Sequence, residues 1–202
     1  MALWLADQPL MLASKSASRR ALLESAGIPL EVSPADIDER AIEARAGTKS
    51  PSQIALVLAR AKADAVAAKL PGRLVLGADQ TLALGDRLFA KPGDLAAARD
   101  QLKSLRGRTH ELHSGLVLVR NDTVLFEHCE TARLTMREFT DRFLDSYLET
   151  AGLAVMASVG AYQVEGAGIH LFARIEGDHF TILGLPLLQL LHYLRSTGCL
   201  AD

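Results

Sequence analysis

Residues 74–84 read LVLGADQTLAL, an almost wholly apolar stretch with one carboxylate, Asp79, at its middle and an amide, Gln80, beside it. The stretch reads as a buried strand over 73–78 that runs into a hairpin, LALGDRLFAKP, turning at Gly85-Asp86. A carboxylate in that setting is costly unless partners answer it. Either a cation, a metal or hydrogen-bond donors sit close to Asp79, or the residue lies at the strand end and faces a cleft. Alternation along a strand points Gln80 away from Asp79, so the two act together only if the chain turns there.

The rest of the chain sets this strand in an α/β frame. PLMLAS (9–14) reads as a short buried strand and KSASRRALLESAG as a helix, capped by Ser16 or Ser18 and ended at Gly27. A second strand follows over 28–33. A helix over 51–69 starts at Pro51 and carries Ile54, Val57, Leu58, Ala61 and Ala65 at helical spacing. Further helices are expected over 94–105 and 138–150, and GLPLLQLLHYLRSTG closes the chain with another. Strands over 109–119 and 122–136 join at Asn121-Asp122, and 155–183 is expected to hold two or three more. Strands alternating with helices, with hairpins intruding, indicate α/β with a mixed sheet. No linker interrupts the 202 residues, so one domain is expected, with two lobes dividing near residue 108.

Composition narrows the function classes. A net charge of −2, without a block of like charge, gives no footprint for a nucleic-acid polymer or an anionic membrane. The opening segment lacks a basic region and is broken by Asp7, Gln8 and Pro9, unlike a signal peptide. No apolar run reaches the roughly 18 residues of a membrane helix. Cys129 and Cys199 show no metal or disulfide spacing, which suits a reducing compartment, and the cytoplasm is the expected location.

Four further segments could carry chemistry. SKSASRR (14–20) offers Ser14, Ser16 and Ser18, the cations Lys15, Arg19 and Arg20, and a helix N-terminus, a set that favours phosphate. It is equally compatible with an ordinary capped helix, and it lacks the Gly-Lys-Ser/Thr of a P-loop. ADIDER places Asp36, Asp38 and Glu39 together, either as oxygen ligands for Mg2+ or Mn2+ or as a polar loop and cap. Lys62 follows Leu58 and precedes Val66 on one helix side, so it either snorkels to solvent or reaches into a cleft. GAYQVEGAG (160–168) is a glycine-rich turn in which Glu165 could accept from a base edge. Lys91, in LFAKP, could return a cation toward Asp79. His110 and His113, three apart in a strand, face opposite sides and make a poor metal pair; Ser158 lacks a nucleophile-elbow context.

In order, LASKSASRRALLESAG, DIDER, LARAKA, GADQT, AKP, LRGRTHELHSG, GAYQVEGAG and IEGDHFTILGLP resemble the Maf family, over about residues 10–195. These are nucleotide pyrophosphatases historically linked to septum formation. The resemblance implies a strongly twisted mixed sheet with a cleft between two lobes, similar to inosine triphosphate pyrophosphatases. It implies hydrolysis of a nucleoside triphosphate to monophosphate and pyrophosphate with a divalent cation, Mg2+, Mn2+ or Co2+, and it is compatible with a homodimer. Carried over residue by residue, Asp79 is the proton acceptor and shares the metal with Glu39, while Ser14, Arg19, Lys62 and Lys91 bind the triphosphate. Family members usually read Ser-Pro-Arg-Arg or Ser-Pro-Trp-Arg where this chain has Ser16-Ala17-Ser18-Arg19, and have glycine before Lys-Pro, where it has Ala90. Branches acting on dTTP and UTP typically follow the aspartate with Thr and carry Gln in the later glycine-rich motif. Gln80 and Glu165 are instead similar to the 7-methyl-GTP branch, which makes both substrate-binding. The alternatives are a dTTP/UTP pyrophosphatase, a phosphatase of the terminal phosphate, and a non-catalytic nucleotide-binding regulator of cell division.

Overall fold

The computed structural model describes residues 3–47 and 49–202, so the first two residues of the N-terminal segment and residue 48 lie outside it. In chain order the elements are β1 (Leu10–Leu12), α1 (Ala17–Ser25), β2 (Leu30–Val32), α2 (Glu39–Ala46), α3 (Pro51–Ala67), β3 (Leu74–Leu84), β4 (Arg87–Phe89), α4 (Leu95–Leu105), β5 (Thr109–Arg120) and β6 (Thr123–Met136). There follow α5 (Asp141–Ala151), three 3-10 turns (Gly152–Met156, Val159–Ala161, Ala167–Leu171), β7 (Phe172–Glu176), α6 (His179–Ile182) and α7 (Leu187–Ser196). The strands pair in the order β2-β1-β3-β5-β6-β7, with β4 on β3. β1 is parallel to β2 and β3, while β3/β4 and β6/β7 are antiparallel, so the sheet is mixed as expected.

The chain does not divide near residue 108. It forms two compact units and changes from one to the other after Gln80, His113, Glu130 and Gly177. The first unit holds residues 1–80, 114–130 and 178–202. Its sheet has an apolar layer on each face. Leu74, Leu76 and Ala78 of β3 join Leu23 of α1 and Leu187, Leu190 and Leu194 of α7 in one core cluster. Val75 joins Ala59, Ala63 and Val66 of α3 in another. Even-numbered β3 residues thus face α1 and α7, and odd-numbered ones face α3, the strict alternation of a pleated strand.

Small residues let α3 lie close to the sheet. A Cβ added to Gly77 would stand 2.0 Å from the Ala59 carbonyl oxygen and 2.8 Å from the Ala63 nitrogen. One added to Gly115 on β5 would stand 2.9 Å from the Ala55 carbonyl carbon. Pro51 occupies the first turn of α3 as expected, and Ser50 and Gln53 add a reciprocal capping box in front of it.

The second unit holds residues 81–113 and 131–177, including the β3/β4 hairpin, and its α4 packs on α5 and on the first two 3-10 turns. The two or three strands expected over 155–183 are not there, apart from β7. Gly160 and Ala161 have φ of 80° and 60°, and a Cβ on Gly168 would lie 2.4 Å from the Gln163 carbonyl oxygen. The chain coils tightly on itself there instead of extending.

Candidate active site

The site grows from the carboxyl ends of the parallel strands. β1 pairs with β3 as far as Leu12 opposite Leu76, and the Ala13 N–H donates to the Leu76 carbonyl at 2.8 Å. Beyond that point β1 has ended and β3 continues through Gly77, Ala78 and Asp79. In open α/β sheets this edge is where ligands are held.

The loop after β1 builds one wall. Ser14 Oγ accepts from the Ser16 N–H at 3.2 Å, and Ser16 Oγ caps α1 by accepting from the Arg19 N–H at 3.3 Å. The cap starts the helix so that Arg19, in its first turn, points inward and is only 8% exposed. Arg19 Nη1 donates to Ser14 Oγ at 3.2 Å and to the Ala78 carbonyl at 2.9 Å, and Nε donates to the Gly184 carbonyl at 2.8 Å. Burial pushes the Arg19 pKa down from its ordinary value, against the charges of Asp79 and Glu39, which hold it up. Lys15 and Arg20, the other cations of the loop, are exposed, and Arg20 is engaged with Glu24.

The other wall is built on α3. Gly77 sets the helix against β3, and two residues on, Asp79 projects from the same face of the strand. Lys62, from α3, donates to Asp79 Oδ1 at 2.5 Å and lies 2.8 Å from Glu39 Oε1. Both Asp79 and Lys62 are largely enclosed, with 10% and 12% of their side chains exposed, whereas Glu39 is 51% exposed. Lys62 therefore reaches inward and does not snorkel, and Asp79 has the cationic partner that its place in an apolar strand demands.

ADIDER runs as a polar loop into a helix cap and the first turn of α2. Asp38 Oδ1 accepts from the Ala41 N–H at 3.0 Å, and α2 begins at Glu39. One turn later the helix brings in Glu43, whose pKa is raised first by burial and then by the charges of Asp79 and Glu39, against Lys62 and Arg40. Its signal in the sequence was the i,i+4 spacing from Glu39. Asp36 stands outside this group as an exposed residue.

Two carboxylates converging on one ammonium are a donor set that suits a hard divalent cation. Among the described residues no three His, Cys, Asp or Glu side chains are grouped to hold a metal. The protein offers such an ion two carboxylates, and phosphate oxygens and waters would complete its shell.

The chain does not turn between Asp79 and Gln80. β3 runs on to Leu84, and Gln80 lies on the opposite face, with its amide nitrogen 2.9 Å from Ser114 Oγ and 3.1 Å from the carbonyls of both Thr181 and Ile182. Lys91 follows β4 and Glu165 lies between two 3-10 turns; both are exposed residues of the second unit. The first unit thus gathers Ser14, Arg19, Glu39, Lys62 and Asp79. Sequence reading missed Glu43, Ser114, Thr181 and the Gly184 carbonyl.

The chain is similar to known proteins over nearly its whole length. The family model described as Maf-like protein matches residues 9–197. A protein of Rhodopseudomonas palustris strain BisB18, named nucleoside triphosphate pyrophosphatase, is 57% identical over 201 residues, covering 100% of both chains. A protein of Rhizobium etli, named 7-methyl-GTP pyrophosphatase, is 54% identical over 192 residues, 94% of this chain and 96% of its own. The solved structure of a HAM1 protein from Coxiella burnetii is similar over 63% of this chain and 72% of its own, at 19% identity and a TM-score of 0.41.

Proposed function

The chain belongs to the Maf-like protein family, and on that premise we propose that it hydrolyses a nucleoside triphosphate to the monophosphate and pyrophosphate, with 7-methyl-GTP as the preferred substrate. The observation that carries the reading is the Glu39–Lys62–Asp79 group set beside the buried, three-point-held Arg19 at the carboxyl edge of parallel strands.

Each residue has a task that its geometry suits. Among the described residues, Arg19 Nη2 donates to none, so the guanidinium keeps N–H groups for a phosphate oxygen while Nε and Nη1 lock its plane. Ser14 orients that plane and Lys62 neutralises phosphate charge; for Lys91 the same task rests on the family resemblance alone. Glu39 and Asp79 would hold Mg2+, Mn2+ or Co2+; when bound, the ion lowers the pKa of a coordinated water and offsets developing negative charge. Asp79 accepts the proton of the water that attacks the α-phosphorus, and pyrophosphate leaves. Most of the acceleration comes from positioning and charge neutralisation.

Base preference is supported by residue chemistry and by the name of the Rhizobium etli relative. The Glu165 carboxylate accepts from the ring N–H and amino group of guanine and offsets the charge of a methylated base, which an amide does less well. A cytoplasmic location and a homodimer belong to the same proposal and rest on the family resemblance; separately, among the described residues no helix is long and apolar enough to cross a membrane.

The test is a panel of canonical and modified triphosphates with each of the three metals, reading monophosphate and pyrophosphate. Asp79→Asn should abolish turnover and leave nucleotide binding measurable; full activity in that variant removes Asp79 from the mechanism. Release of orthophosphate would identify a terminal phosphatase, and absence of any product would favour a nucleotide-binding regulator.

A further inference from the structure

Gln80 sits next to the proposed base in sequence and on the other side of the sheet in space. Its amide nitrogen has two N–H groups within reach of three acceptors: Ser114 Oγ at 2.9 Å and the Thr181 and Ile182 carbonyls, both at 3.1 Å. Ser114 and Thr181 are fully buried. The Ser114 hydroxyl donates to the same Thr181 carbonyl at 2.7 Å, and the Thr181 N–H and hydroxyl are both held by Asp178 Oδ2, at 2.9 and 3.2 Å.

What this fixes is a single turn of helix, α6, and the two residues that follow it, Leu183 and Gly184. The Gly184 N–H donates to the Thr181 carbonyl at 3.0 Å, and Gly184 has a φ of 97°, which side-chain-bearing residues rarely adopt. Its carbonyl receives Arg19 Nε, and a Cβ at Gly184 would stand 3.4 Å from both Arg19 Nε and Nη2. The glycine therefore lies against the guanidinium itself. Arg19 Nη1 in turn donates to the Ala78 carbonyl, two residues before Gln80 on the same strand. The path closes on itself: β3 through Ala78 to Arg19, to Gly184, to the end of α6, and back to β3 through Gln80.

We infer that Gln80 is a positioning residue that fixes the α6–Gly184 segment, and through it the guanidinium of Arg19, without reading the base. This rests on the reading that Arg19 engages the triphosphate. Only an amide serves here. A threonine hydroxyl has one proton for two carbonyls and a shorter reach, and a carboxylate would set its lone pairs against three acceptors.

Base reading and phosphate positioning are separated by a ligand without a base. The experiment measures binding of inorganic tripolyphosphate by calorimetry, and kcat and KM on 7-methyl-GTP and UTP, for the wild type, Gln80→Met, Ser114→Ala, Arg19→Lys and the Gln80→Met/Arg19→Lys double variant. Gln80→Met should weaken tripolyphosphate binding about ten-fold and lower kcat by about 10- to 100-fold on both nucleotides, as loss of alignment does. The ratio of kcat/KM between the two bases should hold within about two-fold. Ser114→Ala removes one of the three acceptors and leaves Gln80 its two carbonyls, and should shift the same quantities in the same direction by less. In the Arg19→Lys background the Gln80 substitution should cost less than about two-fold more, because the two act as one unit. Unchanged tripolyphosphate affinity in both Gln80→Met and Ser114→Ala, or a base ratio altered more than about ten-fold, overturns the inference. Failure of the wild type to release pyrophosphate overturns the functional reading instead, and the tripolyphosphate measurement still decides the role of Gln80.

Discussion

Gly77→Ala adds one methyl group at a position that contributes no side chain to the chemistry, and it should damage both stability and turnover. The new Cβ would stand 2.0 Å from the Ala59 carbonyl oxygen, 2.8 Å from the Ala63 nitrogen and 2.9 Å from the Ala63 Cβ. Two of these atoms are backbone of α3, so no rotamer change relieves them. Opening the first contact to the 3.4 Å of ordinary van der Waals separation moves the helix off the sheet by about 1.4 Å. Overpacking of this kind costs at least the upper part of the usual ~1–3 kcal/mol range. For a chain of this length that lowers Tm by about 6–12 °C. Lys62 travels with α3, while Asp79 stays on β3, so the 2.5 Å contact between them opens by a comparable distance. A misplacement of about 1 Å can cost on the order of 100-fold in rate.

The assay is thermal unfolding followed by circular dichroism, with kcat for pyrophosphate release at a temperature where the variant is fully folded. Adding Ala63→Gly removes the Cβ contact but not the one to the Ala59 carbonyl, so it should restore little of either quantity. Gly72→Ala is the control for the substitution itself: nothing lies within 4 Å of its added Cβ, and only its φ of 81° opposes the change. Wild-type Tm and kcat in Gly77→Ala would refute the argument that glycine sets the distance between α3 and the sheet.

Two other outcomes follow from the site and its supports. Burial pushes the His110 pKa down to about 4, from an ordinary 6.5. Between those values the unfolded chain binds the proton and the folded one does not, so stability falls as pH drops through that window, by roughly 3 kcal/mol in all. Urea titrations at pH 7 and pH 4.5 should show the loss, and His110→Phe should flatten it. Asp38→Ala removes the N-cap of α2, which should cost about 1 kcal/mol of local helix stability. It should raise the metal concentration needed for half-maximal activity while leaving the global Tm nearly unchanged; an unchanged metal requirement would detach Glu39 from the ion.

Legibility in the sequence tracked how far neighbouring residues decide a conformation. The strand–helix order, the Ser16 cap and Pro51 at the start of α3 are local matters, and the structure has them where spacing placed them. α2 escaped notice because none of its residues is buried, so it carries no apolar stripe to register as a period. The segment after residue 155 misled for the opposite reason. Apolar and aromatic residues such as Val155, Tyr162 and Leu171 are buried without any ladder, because tight turns and a hydrogen bond between the Tyr162 hydroxyl and His110 Nε2 hold the chain. Gln80 shows a third limit. Alternation correctly put it opposite Asp79, but its partners lie 34, 101 and 102 residues away, and no local pattern points to them.

Stability alone could account for part of the site, since a buried aspartate needs a cation and Lys62 supplies one. Removing either partner of such a pair costs about 3–5 kcal/mol whether or not the pair does chemistry. Glu39 breaks that equivalence. It is half exposed, on a helix that contributes no buried residue to the core, and an exposed ion pair contributes about 0–1 kcal/mol. Ordering a backbone costs about 1–2 kcal/mol per residue, so one ion pair falls well short of holding eight residues of α2 in place. Asp79 and Lys62 have a structural reason to meet, and Glu39 does not. Under the proposed reading, its place beside them, at the edge where parallel strands end, serves a ligand that needs a second carboxylate there.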